Sequence, residues 1–121
     1  MRSIFIILLT LLSLTSYTQE IKDVIIKSNG WTQVVLTNNQ RKSGWIGNKD
    51  FEFDFSDCII VARKENGWTE VYDKNLSKVK SGWLGNQEFK FKVIGCGIKI
   101  WKSNGWTERY DKNLKKTFSG W

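Results

Sequence analysis

From residue 19 onward the apolar residues follow a period of two rather than 3.6. In the middle of the chain Cys58-Ile59-Ile60-Val61-Ala62-Arg63 is a short apolar, β-branched run. Glu65-Asn66-Gly67 follows, and Asn-Gly between apolar runs is a strong short-range hairpin signal. Trp68-Thr69-Glu70-Val71-Tyr72 is strand-like, and Asp73-Lys74-Asn75 is a second turn, in which Asp can bond nearby backbone and Asn tolerates left-handed φ. Val79 to Leu84 predicts a third strand, closed by Gly85-Asn86, and Phe89-Lys90-Phe91-Lys92-Val93 alternates strictly as a fourth. Val24-Ile25-Ile26 and Ile59-Ile60-Val61 are apolar at consecutive positions, which predicts strands covered on both faces. Phe51-Glu52-Phe53-Asp54-Phe55 alternates, which predicts one wet face.

This pattern recurs. Asn29-Gly30-Trp31, Asn66-Gly67-Trp68 and Asn104-Gly105-Trp106 are one motif, with its Trp 37 and 38 residues apart. Ser43-Gly44-Trp45, Ser81-Gly82-Trp83 and Ser119-Gly120-Trp121 are a second, spaced by 38 and 38. Gly47-Asn48 recurs as Gly85-Asn86, and Cys58 and Cys96 also stand 38 apart. A period of this length signals a solenoid, propeller or similar array. The expected fold is all-β: three tandem antiparallel meanders of about 38 residues, arranged like propeller blades. The copies run over about 21–57, 58–95 and 96–121 within a single domain, 19–121. The last copy stops before its fourth strand, so about eleven strands and no helix are expected. Three copies are fewer than the four to eight blades of a closed propeller. A dimer completing six blades, a compact three-sheet unit and a piece of a longer array all satisfy that count.

The first eighteen residues differ in kind. Met1-Arg2-Ser3 carries one positive charge, Ile4 to Leu14 is apolar except for Thr10 and Ser13, and Ser16-Tyr17-Thr18 supplies a small polar exit. That order predicts a secretory signal peptide over 1–18, cut between Thr18 and Gln19, with an uncleaved anchor as the alternative. The apolar run is shorter than the roughly 20 residues a spanning helix needs. The expected address is therefore secreted, periplasmic or cell-surface, with no stable membrane span.

Several residues now resemble a known family. Lys102-Ser103-Asn104-Gly105-Trp106-Thr107-Glu108-Arg109-Tyr110-Asp111-Lys112-Asn113 is similar to the core of bacterial WG-type repeats, and Asn66-Gly67-Trp68 with Tyr72-Asp73-Lys74-Asn75 matches in the middle copy. Thr follows Trp where that family has Gly, and its usual Pro-containing segment is absent. The layout also resembles WD-type propeller repeats in period and strand count. Asn-Gly-Trp followed by Ser-Gly-Trp resembles the end of bacterial Src-homology-type barrels, although a period of 38 residues is shorter than such a barrel requires. None of these resemblances implies a catalytic residue.

Composition narrows the chemistry. The 121 residues include seven Trp, two Cys, no Pro and no His. Without His the chain lacks the commonest general base and metal ligand, and two Cys are too few for a Cys-only zinc site. No metal or cofactor is expected. Trp31, Trp45, Trp68, Trp83, Trp106 and Trp121 occupy the two repeat positions and are expected to be structural. Trp101 alone falls outside them; set against Lys64 and Lys27 of the other copies, it is the better surface candidate. Gln33, Glu70 and Glu108 each stand two residues after the first Trp of their copy, with Val35, Tyr72 and Tyr110 two further on. On a strand Trp-x-Glu-x-Tyr shares one face. Glu70, Tyr72, Glu108, Tyr110 and Trp101 are thus the candidate ligand-binding residues. A carboxylate accepting from Trp or Tyr is the plainer role for the two Glu. A catalytic pair would require the close carboxyl spacing of a glycosidase. Asp73-x-Asn75 and Asp111-x-Asn113 offer oxygens at alternate positions, but the calcium loop needs further carboxylates, so hairpin turns are expected. Cys58 and Cys96 are either a disulfide, which export permits, or two buried thiols.

Charge adds asymmetry. The net charge is +7, or +6 without Arg2; residues 19–57 carry −1, 58–95 carry +3 and 96–121 carry +4. Glu52 and Asp54 of one fourth strand become Lys90 and Lys92 in the next. Opposite charges on facing strands attract. The two outer strands are therefore expected to meet through these charges, within the fold or between chains as a homo-oligomer. The expected function is a secreted, non-enzymatic binding or scaffold protein for a glycan, envelope polymer or protein, with nucleic acid excluded by the scattered Lys and the export signal. A small envelope-polysaccharide enzyme and an inhibitor or immunity-type partner are the alternatives.

Overall fold

The structure is a computed structural model that describes residues 19–27, 29–47, 52–64, 67–84 and 89–121. The expected signal peptide, the Asn66 turn position and the Asn48, Gly85 and Asn86 turn residues lie outside these. The described chain is all-β, with eleven antiparallel strands. They are β1 (Ile21–Ile26), β2 (Trp31–Leu36), β3 (Arg41–Trp45), β4 (Glu52–Phe55), β5 (Ile60–Arg63) and β6 (Trp68–Tyr72). The series continues with β7 (Lys78–Trp83), β8 (Phe89–Ile94), β9 (Gly97–Lys102), β10 (Thr107–Asp111) and β11 (Lys116–Gly120). No helix among the described residues is long and apolar enough to cross a membrane.

The strands form three sheets whose boundaries are offset by one strand from the sequence copies. Their orders are β1-β2-β3, β4-β5-β6-β7 and β8-β9-β10-β11. The fourth strand of each copy therefore opens the next sheet instead of closing its own, and the three-stranded sheet comes first. Local chemistry accounts for this. Ile94 pairs with Gly97 across a two-residue turn, Gly95-Cys96, and Gly95 takes φ 59°, which a glycine adopts without steric cost. That tight hairpin joins β8 to β9.

The sheets stack face to face, because the middle sheet offers apolar side chains on both faces, chiefly from Ile59-Ile60-Val61-Ala62 on and before β5. Ile60, Ala62 and Tyr72 face the first sheet, where they meet Ile21, Val24, Val34, Leu36 and Ile46. Ile59, Val61 and Val71 face the last sheet and meet Val93, Ile98 and Ile100. The expectation of two covered faces holds for Ile59-Ile60-Val61, which are fully buried. It fails at Ile25, which is 38% exposed, because the first sheet is an outer layer with one free face.

Equivalent contacts recur at both interfaces. A Cβ added at Gly44 would lie 3.5 Å from the Leu76 side chain, as one at Gly82 would lie 3.4 Å from Leu114. Leu76 and Leu114 take φ 61° and 58°, and Asn39 takes φ 67° at the matching turn. The left-handed residue is thus the one after Asn75 and Asn113, not the Asn expected. Asp73 Oδ1 accepts the amides of Asn75 and Ser77 at 2.8 and 3.0 Å, which fixes the turn. Asp111 does the same for Asn113 and Lys115. Packing of the Leu side chain into the inter-sheet core offsets its backbone strain.

The middle and last sheets are also cross-linked. Cys58, in the β4–β5 loop, and Cys96, in the β8–β9 turn, form a disulfide with their Cα atoms 5.3 Å apart. Of the two alternatives left open by the sequence, the bridge is the one formed. Asp54 Oδ2 accepts the Val93 amide at 2.8 Å, and Ser56 Oγ donates to the Gly95 carbonyl. Asp54, Ser56 and Cys58 thus reach β8 and its turn from alternate positions. β4 and β8 do meet within the chain, but the expected charge pairing is not what joins them. Glu52 pairs instead with Arg63, its neighbour across the ladder, at 2.6 Å. Lys90 and Lys92 lie in register with Trp101 and Lys99, on the face turned away from β4.

Candidate functional site

Trp-x-Glu-x-Tyr occupies one face of β6, and Glu108 and Tyr110 one face of β10 with Trp106 just before it, as the period of two requires. Each such face is turned toward the preceding sheet. Glu70 and Glu108 are therefore buried, at 6% and 5% exposure. A carboxylate has about four acceptor sites, and each Glu receives four donors. Glu70 Oε1 accepts from the Tyr72 hydroxyl at 2.7 Å and Lys64 at 3.0 Å. Its Oε2 accepts from Lys78 at 3.1 Å and the Trp68 indole at 3.4 Å. Glu108 repeats the set with Tyr110 at 2.8 Å, Lys102 at 3.5 Å, Lys116 at 3.1 Å and Trp106 at 3.2 Å.

The electrostatics follow from this geometry. Burial by itself raises the Glu70 pKa, but the bonds from Tyr72, Lys64 and Lys78 outweigh it and pull the value from 4.5 to about 2. Glu108 is likewise lowered: desolvation opposes, and Tyr110, Lys116 and Lys102 prevail. Both Tyr hydroxyls are pushed up, first by burial and then by the carboxylate they donate to. A carboxylate that is ionised at neutral pH and already receives four donors has no proton to give there and is a poor acceptor for one. The two Glu also sit in different sheets, each with its own pair of lysines. The first copy lacks the cluster: Gln33 stands in for Glu, Val35 for Tyr, and Gln33 accepts only a long bond from Arg41, at 3.4 Å. Its face is the free face of the first sheet, where no buried charge needs holding.

Sequence reasoning identified the Glu and Tyr of these clusters but missed the lysines. Their signal was present in the repeat. Lys27, Lys64 and Lys102 precede the first turn of each copy, and Arg41, Lys78 and Lys116 open its third strand.

The six repeat Trp form cross-strand pairs. Trp31 lies opposite Trp45, and Trp68 opposite Trp83. Trp106 and Trp121 meet edge to face with ring centroids 5.1 Å apart. These rings do not fill the core. Trp31, Trp45, Trp68, Trp83 and Trp121 are all exposed, Trp121 by 80%. Each pair sits where a left-handed glycine, Gly30, Gly67 or Gly105, leads into the second strand of its copy, so the three pairs occupy equivalent ends of successive sheets. Asn29 Oδ1 accepts the Trp31 amide at 3.0 Å, and Asn104 repeats this with Trp106.

Trp101 lies outside the pairs, 37% exposed on the free face of the last sheet. The ladder corrects its alignment. It faces Thr107 as Arg63 faces Thr69 and Ile26 faces Thr32, so Arg63 and Ile26 are its counterparts, and Lys102 is the counterpart of Lys64 and Lys27. Lys99 Nζ rests 4.8 Å from its ring centroid. No protein-family model and no curated protein matches this chain.

Proposed function

We propose that this chain is an exported, non-catalytic β-repeat module that binds carbohydrate through surface aromatics. The single observation that carries the proposal is the set of three cross-strand Trp pairs at equivalent ends of the stacked sheets, with every ring but the half-buried Trp106 exposed. Aromatic rings exposed in a regular row favour an interaction site, and flat aromatic faces suit the C–H faces of sugar rings. Export is supported by the charged, apolar and small-residue order of residues 1–18 and by the Cys58–Cys96 bridge, which suits an oxidising compartment. The similarity to WG-type and propeller repeats fits a binding scaffold.

A non-catalytic role is supported by the two buried carboxylates, whose four donors each consume the acceptor capacity that acid–base work would need. The test is a glycan panel probed with residues 19–121. Binding that falls at least tenfold in the Trp45→Ala/Trp121→Ala double variant, while a cooperative melt well above the assay temperature is kept, is the expected result. Hydrolysis of any bound glycan that is lost in Glu70→Gln overturns the non-catalytic reading.

A further inference from the structure

The free face of the last sheet departs from its counterparts in one row. In the middle sheet the row across the strands is Asp54, Val61, Val71 and Lys80. Val61 and Val71 there are fully buried against the last sheet. In the first sheet the row is Val24, Val34 and Lys42. In the last sheet it is Lys92, Lys99, Arg109 and Phe118. Both core valines and the carboxylate have become cations. Strands in a sheet are about 4.8 Å apart, so three positive side chains stand on adjacent strands in direct register. Like charges placed directly opposite are destabilising. None of Lys90, Lys92, Lys99 and Arg109 forms an ion pair with a described residue.

Apolar side chains interleave the cations. Trp101 lies beside Lys90 in the next row, Phe118 beside Arg109, and Ile94 beyond Lys92; they are 37%, 50% and 53% exposed. A groove of about 260 Å³ runs past Ile94, Lys99, Arg109, Asp111 and Thr117, with Asp111 Oδ1 engaged by the Asn113 and Lys115 amides. Further stacking of a sheet on this face would bury three unpaired cations, a cost that the valines at the other interface avoid. A second copy offers poor compensation, since the free face of the first sheet carries Asp23 as its strand carboxylate, in register with Val35.

We infer that the free face of the last sheet is a docking site for an anionic polysaccharide, its carboxylates neutralising the Lys92–Lys99–Arg109 row and its sugar rings resting on Trp101 and Phe118. The inference deepens the carbohydrate-binding reading and rests on it, but it uses a different face from the Trp pairs. A linear acidic glycan fits better than a compact anion. The cations form a row with Lys90 diagonal to it, and apolar side chains lie between them.

The test titrates residues 19–121, disulfide intact, with polygalacturonate, with a neutral glucan and with single-stranded DNA. Polygalacturonate binding is expected, with a loss of about tenfold or more between roughly 50 and 200 mM salt for three neutralised charges. The Lys99→Gln/Arg109→Gln variant should bind at least tenfold more weakly while its melting temperature rises by a few degrees, since the like-charge row is relieved. Lys92→Gln, at an exposed position, should weaken binding with the fold unaffected and serves if the double variant misfolds. Polygalacturonate binding unchanged in these variants overturns the inference. Neutral glucan binding without polygalacturonate binding overturns it too, but leaves the carbohydrate-binding reading standing. Binding of neither glycan overturns both. DNA binding of equal strength and equal sensitivity to these variants overturns the choice of a glycan. A dimer in solution that is abolished by Lys92→Gln overturns it in favour of a second copy.

Discussion

Substitution Glu70→Gln tests how much the buried carboxylate, which ties together the end of β5, β6 and β7 beneath the first sheet, contributes to stability. Gln can still accept from Tyr72, but it removes the charge that Lys64 and Lys78 face at 3.0 and 3.1 Å. In the folded state the carboxyl titrates at about 2, against an ordinary 4.5. That gap corresponds to at most about 3 kcal/mol of stability at neutral pH. The lysine side chains are 30% and 48% exposed and can partly rehydrate when their partner is lost, so about 2 kcal/mol is the expected cost. For a domain of this size that is a fall in Tm of about 10 °C. The pH dependence gives a second readout. A folded value below the unfolded one means that the contribution is complete above about 4.5 and is lost as pH falls toward 2. Thermal melts from pH 7 down to pH 2 should therefore show the wild type losing stability through that window, with Glu70→Gln flatter there. Glu108→Gln should act in the same direction at the other interface, and the two effects should add, because the clusters share no partner. Equal melting temperatures at pH 7 and parallel acid profiles would mean that the Glu70 cluster adds nothing to stability.

Other outcomes follow from the same geometry. Reducing Cys58–Cys96, or replacing both by Ser, opens a 38-residue loop and should cost about 4 kcal/mol in chemical unfolding with and without reductant. Gly30→Ala should be severely destabilising, by about 3 kcal/mol or more, because Gly30 sits at φ 85° and an added Cβ would overlap the Gly47 carbonyl oxygen. Gly82→Ala, whose Cβ would lie 3.4 Å from the Leu114 side chain, should change a urea midpoint little by comparison. Trp121→Ala removes the edge-to-face contact with Trp106 and should cost only about 1 kcal/mol in the same assay, since its ring is mostly in solvent.

Much of the candidate site was legible along the chain because repetition writes the same local chemistry several times. The Trp-x-Glu-x-Tyr face, the Asp turns and the strand edges all depend on contacts within a few residues or across one hairpin. The left-handed Leu76 and Leu114 were not legible, since their strain is offset by packing into the core between sheets. The lysines escaped for a related reason. Lys64 and Lys78 converge on Glu70 from the two strands that flank it, and only the pairing register shows this.

The period of two, the Asn-Gly and Asp turns and the 38-residue spacing determined an all-β repeat chain of eleven strands, because strand and turn preferences act locally. Which sheet each fourth strand joins was a tertiary matter, and so was the choice between bridge and thiols at Cys58 and Cys96. Both depend on which surfaces are left to bury once the hairpins exist. The same holds for the charge inversion between β4 and β8. The sequence shows that Glu52 and Asp54 give way to Lys90 and Lys92; stacking order alone brings Asp54 onto the Val93 amide, while Glu52 stays exposed beside Arg63, and leaves the lysines, with Lys99 and Arg109, on an uncovered face.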